Sequence, residues 1–216
     1  MIEPKIIRSR RKYLTIIIDK DRNLIVRAPL RTSNKEIFDF IARKQNWITK
    51  KLNEQKSTIK PLTVLDGEKL PILGKIYTIK LTSSLNKVSI IDDNIFIPLK
   101  DSKQKLINYF KNLAKAYLTK RVEELAKQNN FKYKTIRISS AHTNWGSCSY
   151  RNSLNFTYKL MLCPVSVIDY IIIHELCHTL IKNHSVNFYN LVYSIMPNYK
   201  EYTKWLKTNA SIINLI

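Results

Sequence analysis

Asp169-Tyr170-Ile171-Ile172-Ile173-His174-Glu175-Leu176-Cys177-His178, followed six residues later by His184, is the stretch that decides how this chain is read. Two histidines four apart on an α-helix point the same way, because 3.6 residues make a turn. Glu175 directly follows the first. This is the H-E-x-x-H pattern, in which two imidazoles hold a zinc ion and the carboxylate takes a proton from water. Three of the chain's four histidines fall within residues 174–184. Val167, Ile168, Ile171, Ile172, Leu176, Leu180 and Ile181 give the surrounding segment an apolar helical surface, and Pro164 suits its first turn. An otherwise apolar helix has little reason to bury His, Glu and His together without a partner.

A zinc site needs a third protein ligand, and a catalytic one keeps the fourth position open. His184 is the first choice. On a straight helix it would lie roughly 9 Å along the axis from His178 and about 120° round from it. The helix must therefore stop before it, and Asn183, which tolerates the left-handed conformation, is the expected stop. Ser185 is then placed to cap a new helix. The histidine spacing equals that of metzincins, but Ile181 occupies the place of their turn glycine. Glu201 is the competing third ligand, giving a two-His, one-Glu site.

With 216 residues the chain is long enough to bury a core. No apolar run reaches the length of a membrane span. Met1-Ile2-Glu3-Pro4-Lys5 leads into strand-like sequence rather than a secretory leader. Cys148, Cys163 and Cys177 are odd in number and show no disulfide spacing, so a reducing cytoplasm is the expected compartment. The formal charge of +21 admits a polyanionic partner, nucleic acid or nucleotide. Yet Lys outnumbers Arg 27 to 10 and the lysines are scattered, as a merely solvated surface would have them. The arginines are denser at the start: Arg8, Arg10 and Arg11 precede, and Arg22, Arg27 and Arg31 follow, the first strands of a hairpin.

That hairpin is expected over residues 13–18 and 24–28. Ser33-Asn34-Lys35-Glu36 is a capping box opening one helix near 34–54, with Ile37, Phe38, Ile41, Trp47 and Ile48 on its apolar side. A polar linker at 54–61 follows. Short strands are expected at 62–65, 69–72, 76–81, 88–91 and 95–98, with turns at Asp66-Gly67, Gly74 and Asp92-Asp93-Asn94. A long helix, capped by Asp101 or Ser102, runs to about Gln128. Strands at 133–139 and 153–158 bracket a polar loop, His142 to Ser149. Short helices follow His184. The fold class is α+β: residues 1–100 a β-rich region with one helix, residues 101–216 a catalytic domain built on the histidine helix.

Three stretches together resemble a known group: Asn144-Trp145-Gly146-Ser147-Cys148-Ser149, then Asp169 to His178, then Asn183-His184-Ser185 with Phe188. They are similar to the YgjP-like family of predicted metal-dependent hydrolases, relatives of the SprT-like zinc peptidases. The resemblance implies a zincin-like catalytic domain, one zinc per chain on His174, His178 and His184, and Glu175 as the catalytic base. It implies a peptide or protein substrate, with nucleoside triphosphate hydrolysis to the monophosphate as the alternative. A nucleic-acid-associated peptidase and a non-enzymatic basic protein with a structural zinc are further alternatives. The family loop usually has Arg where this chain has Asn144, and His142 or Arg137 are the substitutes within reach in sequence.

A second electrophile would help to stabilise the developing oxyanion. His142, Asn144 and Tyr158 are the candidates. Trp145 is expected to line the cleft, with Gly146 letting backbone approach the substrate. The cysteines are expected to pack as small apolar residues.

Overall fold

The structure, a computed structural model, describes residues 3–19, 23–56 and 64–214, with backbone alone at 53–56, 211 and 214. Packing divides the chain into two units, residues 1–58 and 59–216.

In the first unit, β1 (Lys5–Ser9), β2 (Thr15–Ile18) and β3 (Leu24–Pro29) form a sheet in the order β1-β3-β2. β2 and β3 are the expected antiparallel hairpin; residues 20–22 of its turn lie outside the described residues. β1 is the strand-like sequence that follows the first residues, though its short basic segment gives no clear alternation and no sign of its partner. It forms because β3 offers an open edge, on which it pairs in parallel from Lys5 opposite Ile25 to Ser9 opposite Pro29. Helix α1 (Asn34–Arg43) has the expected capping box: Glu36 N donates to Ser33 Oγ at 3.2 Å, and Ser33 N donates to Glu36 Oε2 at 2.8 Å. The single helix expected here is two, because the chain turns at Lys44 before α2 (Gln45–Lys56). Val26, Ala28 and Ile37 form the buried centre, with Ile6, Leu14, Ile16 and Ile41 around them. Phe38 and Trp47, expected on the apolar side, are 52% and 42% exposed. Most of the expected linker, from residue 57, lies outside the described residues.

The second unit begins with a four-stranded sheet of β4 (Lys69–Ile72), β5 (Lys75–Thr82), β6 (Ser89–Ile91) and β7 (Asn94–Pro98), in the order β4-β5-β7-β6. Of the strand expected at 62–65, residues 62 and 63 lie outside the described residues and 64–65 are not strand. The β4–β5 turn needs Gly74, whose φ is +87° after Leu73 at +52°. Helix α3 (Ser102–Gln128) follows; Asp101 stands at its N-cap position but makes no capping bond. Leu70, Ile79 and Ile95 of this sheet lie in one buried core with Leu106 and Phe110 of α3. The sheet thus shares a core with α3 in the second unit, whereas the sequence reading places it in a region ending at residue 100.

A second sheet holds β8 (Thr135–Ser139), β9 (Gly146–Cys148) and β10 (Ser153–Thr157), in the order β8-β10-β9. β8 runs parallel and β9 antiparallel to β10. β9 lies inside the stretch expected as loop. After the 3-10 turn Tyr158–Leu162 come α4 (Val165–Cys177), α5 (Val186–Ile195), α6 (Tyr199–Thr208) and a last 3-10 turn, Ala210–Asn214. α4 is the central helix of this unit, packed against α3, α5, α6 and β9. Arg121 of α3 holds Asp169 of α4 through two bonds, Nε to Oδ1 at 2.7 Å and Nη2 to Oδ2 at 2.8 Å. The fold is α+β, as expected. Among the described residues, no helix is long and apolar enough to cross a membrane.

Candidate metal centre

The histidine helix stops earlier than the sequence suggests. Its last residue is Cys177 and its C-cap is His178, so Asn183 is not the stop and Leu180 is exposed. The side chains that follow close the turn. Thr179 Oγ1 donates to the Leu176 carbonyl at 2.7 Å, and His178 Nδ1–H donates to the Ile181 carbonyl at 2.9 Å. A hydroxyl that binds a helix carbonyl competes with continued winding. The chain then reverses, and Ser185 opens α5 by accepting from Phe188 N at 3.4 Å. This early stop brings His184 back to the helix.

His174 and His178 stand on one face of α4, and His184 meets them from the far side of the turn. His184 Nε2 lies 3.1 Å from Nε2 of His174 and 3.1 Å from Nε2 of His178. One ligand atom from each of the three histidines falls within a 4.8 Å group. A carbonyl only accepts, so the bond to Ile181 puts the proton of His178 on Nδ1 and leaves a lone pair on Nε2. Burial, then the neighbouring His178 and His184, push His174 down to about 4, and burial lowers His178 as well. His174 and His178 are therefore neutral near pH 7. Imidazole lone pairs facing one another repel unless a proton or a cation lies between them, and one cation satisfies all three. The donor set fits a metal ion: three neutral imidazoles suit zinc and related divalent ions. Glu201, the competing ligand, is exposed in the first turn of α6 and is not in this group.

Glu175 is 6% exposed, and burial pushes its carboxyl up to about 7. Gly146 of β9 is what gives it room. A Cβ at 146 would stand 2.8 Å from Glu175 Cγ and 2.9 Å from Oε1. The glycine therefore lets backbone approach Glu175 itself.

A family model described as YgjP-like, metallopeptidase domain, matches residues 12–209. The chain belongs to the YgjP-like family. Membership in this metallopeptidase-domain family makes it a metal-dependent hydrolase in general terms, and its three close histidines can hold the ion. Searches of curated proteins and of solved structures returned no match.

In this YgjP-like domain the histidines are packed among aromatic rings that sequence reasoning largely passed over. Phe188, fully buried, stacks on His178 at 4.3 Å and meets His174 and His184 edge-on at 4.9 and 5.0 Å. Tyr170, one turn before His174, touches it edge-on at 5.8 Å. Tyr189 and Tyr199 continue the row, stacked at 6.0 Å. The signal was present in the spacing: Tyr170 and His174 are i and i+4 on α4, and Phe188 sits one turn into α5.

The remaining candidates are dispersed. Tyr158 is buried in the core, with Lys111 at 5.9 Å from its ring centre. Trp145 is half-buried against the core, and its carbonyl accepts from Thr157 N at 3.1 Å. Asn144 is exposed and its Oδ1 accepts from the Thr143 hydroxyl. Arg137 is on β8, at the opposite edge of the sheet from β9. His142 is exposed, and its Nδ1 pairs with Lys159 Nζ at 2.8 Å. Cys163 and Cys177 are buried packing residues whose thiols burial pushes up to about 12. Cys148, half-buried, has its thiol 3.6 Å from Lys182 Nζ.

Proposed function

We propose that this chain is a zinc-dependent hydrolase of peptide bonds, with His174, His178 and His184 as ligands and Glu175 as the general base. The convergence of three imidazole Nε2 atoms, with the buried Glu175 directly following His174 in the chain, carries this reading. When bound, the ion supplies Lewis acidity, acidifying water and polarising the carbonyl to be cut. The chain's own residues do the rest. Glu175, raised toward neutrality by burial, takes a proton from water at its carboxylate and returns it to the leaving amine. Phe188 and Tyr170 fix the planes of the imidazoles and keep water from their faces.

The sheet favours a peptide over a nucleotide. Among the described residues β9 pairs with β10 on one side only, which leaves its other edge without a strand neighbour, and Glu175 lies over its face at Gly146. An extended peptide added to that edge would pass the carboxylate. A triphosphate would need cations, but Lys182 donates to the Ser149 carbonyl and to Asn152 Oδ1 instead.

Elemental analysis of the purified protein tests the site. About one zinc per chain, lost or much weakened in His184→Ala, is the expected result. Full occupancy in that variant would remove His184 from the ligand set. With metal retained, Glu175→Gln should abolish cleavage of unfolded protein substrates; surviving activity would overturn the mechanism.

A further inference from the structure

The parallel pairing of β1 with β3 ends both strands at one place. Ser9 lies opposite Pro29, so the residues that leave the two strands emerge side by side. Those residues are Arg10, Arg11 and Lys12 on one strand, and Leu30 and Arg31 on the other. They line an open concavity of about 470 Å³ together with Ser9 and Pro29. Among the described residues, four cations line it and no carboxylate does.

Arg11 shows that this arrangement is incomplete. Its Nη2 donates to Thr15 Oγ1 at 2.8 Å, but its Nε is buried and has no hydrogen-bond partner among the described residues. A buried charged donor without an acceptor is costly, and the acceptor that fits a guanidinium fork is a planar or tetrahedral oxyanion. Thr32 N bonds the Pro29 carbonyl at 3.3 Å, which closes the turn carrying Arg31 and gives it a fixed place. Tyr13, next in the chain after Lys12, is 67% exposed with Lys12 Nζ 5.5 Å from its ring centre. An exposed aromatic beside phosphate-binding cations is the combination that holds single-stranded nucleic acid, by backbone contact and base stacking.

We propose that this end of the first unit binds the phosphate backbone of a nucleic acid strand, with Arg10, Arg11, Lys12 and Arg31 as phosphate contacts and Tyr13 as a stacking platform. An anionic lipid surface fits less well: the concavity is lined by one exposed apolar side chain, Leu30, where membrane insertion needs a continuous apolar face.

The test uses the whole chain and a labelled single strand of roughly 20 nucleotides, long enough to fill a site of this class. Binding is followed by fluorescence anisotropy as salt is varied. Arg10→Glu with Arg31→Glu is compared with a variant of equal charge, Lys115→Glu with Lys120→Glu, at exposed positions of α3. The expected result is at least a tenfold loss for the first pair, with a salt slope smaller by about 1.4 from two lost phosphate contacts. Little change is expected for the second. Zinc content and thermal melting, unchanged in both, exclude misfolding. Equal losses in the two variants would mean diffuse attraction to a basic protein and would overturn the site. So would undetectable binding, or a loss seen only with vesicles of anionic phospholipid.

Discussion

The backbone at Gly146 lies against the side chain of Glu175 so closely that no other residue type fits there without displacing the carboxylate. The neighbours a Cβ would meet are Cγ, Cδ and Oε1, so either the Glu175 side chain or β9 must move. Gly146→Ala is expected to lower the rate of hydrolysis about 100-fold, the effect of displacing a reacting group by roughly 1 Å. Zinc content should be unchanged, because no histidine is touched. Steady-state kinetics beside elemental analysis checks it; full activity would mean that Glu175 has space to spare.

Glu175 also ties stability to pH in the metal-free protein. Its folded value of about 7 lies above the ordinary 4.5. Its contribution is therefore fully present below 4.5 and is lost as pH rises through 7. Glu175→Gln has no charge to bury. With metal removed by a chelator, it is expected to match its parent near pH 4.5 and to exceed it by about 2–3 kcal/mol at pH 8. Urea denaturation at the two pH values measures this. An advantage that shrinks with rising pH would contradict the sign.

The fork between Arg121 and Asp169 joins α3 to the helix that carries the histidines. Asp169→Asn is expected to destabilise the protein by about 1–3 kcal/mol, since it takes the bidentate partner from a half-buried guanidinium and leaves it only Glu124, at 2.9 Å. Arg121→Met with Asp169→Asn should cost less than the sum of the two single changes. Chemical denaturation of the four proteins gives the coupling, and strict additivity would show the pair to be independent.

Lys159 is fully buried and donates to the Ile213 carbonyl at 2.7 Å. Burial, then Lys103, push its ammonium down to about 8 from the ordinary 10.5. Its contribution to stability is present above 10.5 and is lost as pH falls through about 8. Between pH 7 and pH 10 the parent is thus expected to gain stability relative to Lys159→Met. Thermal melts of both proteins across that range decide it, and a constant difference would mean the amine ionises as freely as in water.

Much of this was legible because it is local. The Ser33–Glu36 box, the glycine turns, the long stripe of α3 and the four-residue spacing of His174 and His178 are each written in a few neighbouring residues. What was not legible depends on partners. β9 is three residues with a glycine at its head, and only pairing with β10 makes it a strand. The end of α4 was misplaced by six residues because Ile181 and Leu180 continue the apolar pattern, while Thr179 and His178 close the turn through side-chain bonds. The intimacy of Gly146 and Glu175, 29 positions apart, carries no spacing signal at all. Nor does the stacking of Tyr189 of α5 on Tyr199 of α6.

The three histidines are unequal in one respect. His174 and His178 ride on a single rigid helix, whereas His184 is reached through a turn and held by the start of α5. An arriving ion would therefore meet a pre-aligned pair first and the third ligand second. Capture becomes a two-step event, a fast weak association followed by a slower locking, and release must run in reverse through the turn at 178–183. On the proposed ligand set, the lifetime of the metalated protein would depend on the stiffness of that short turn as well as on the helix whose motif announces the site.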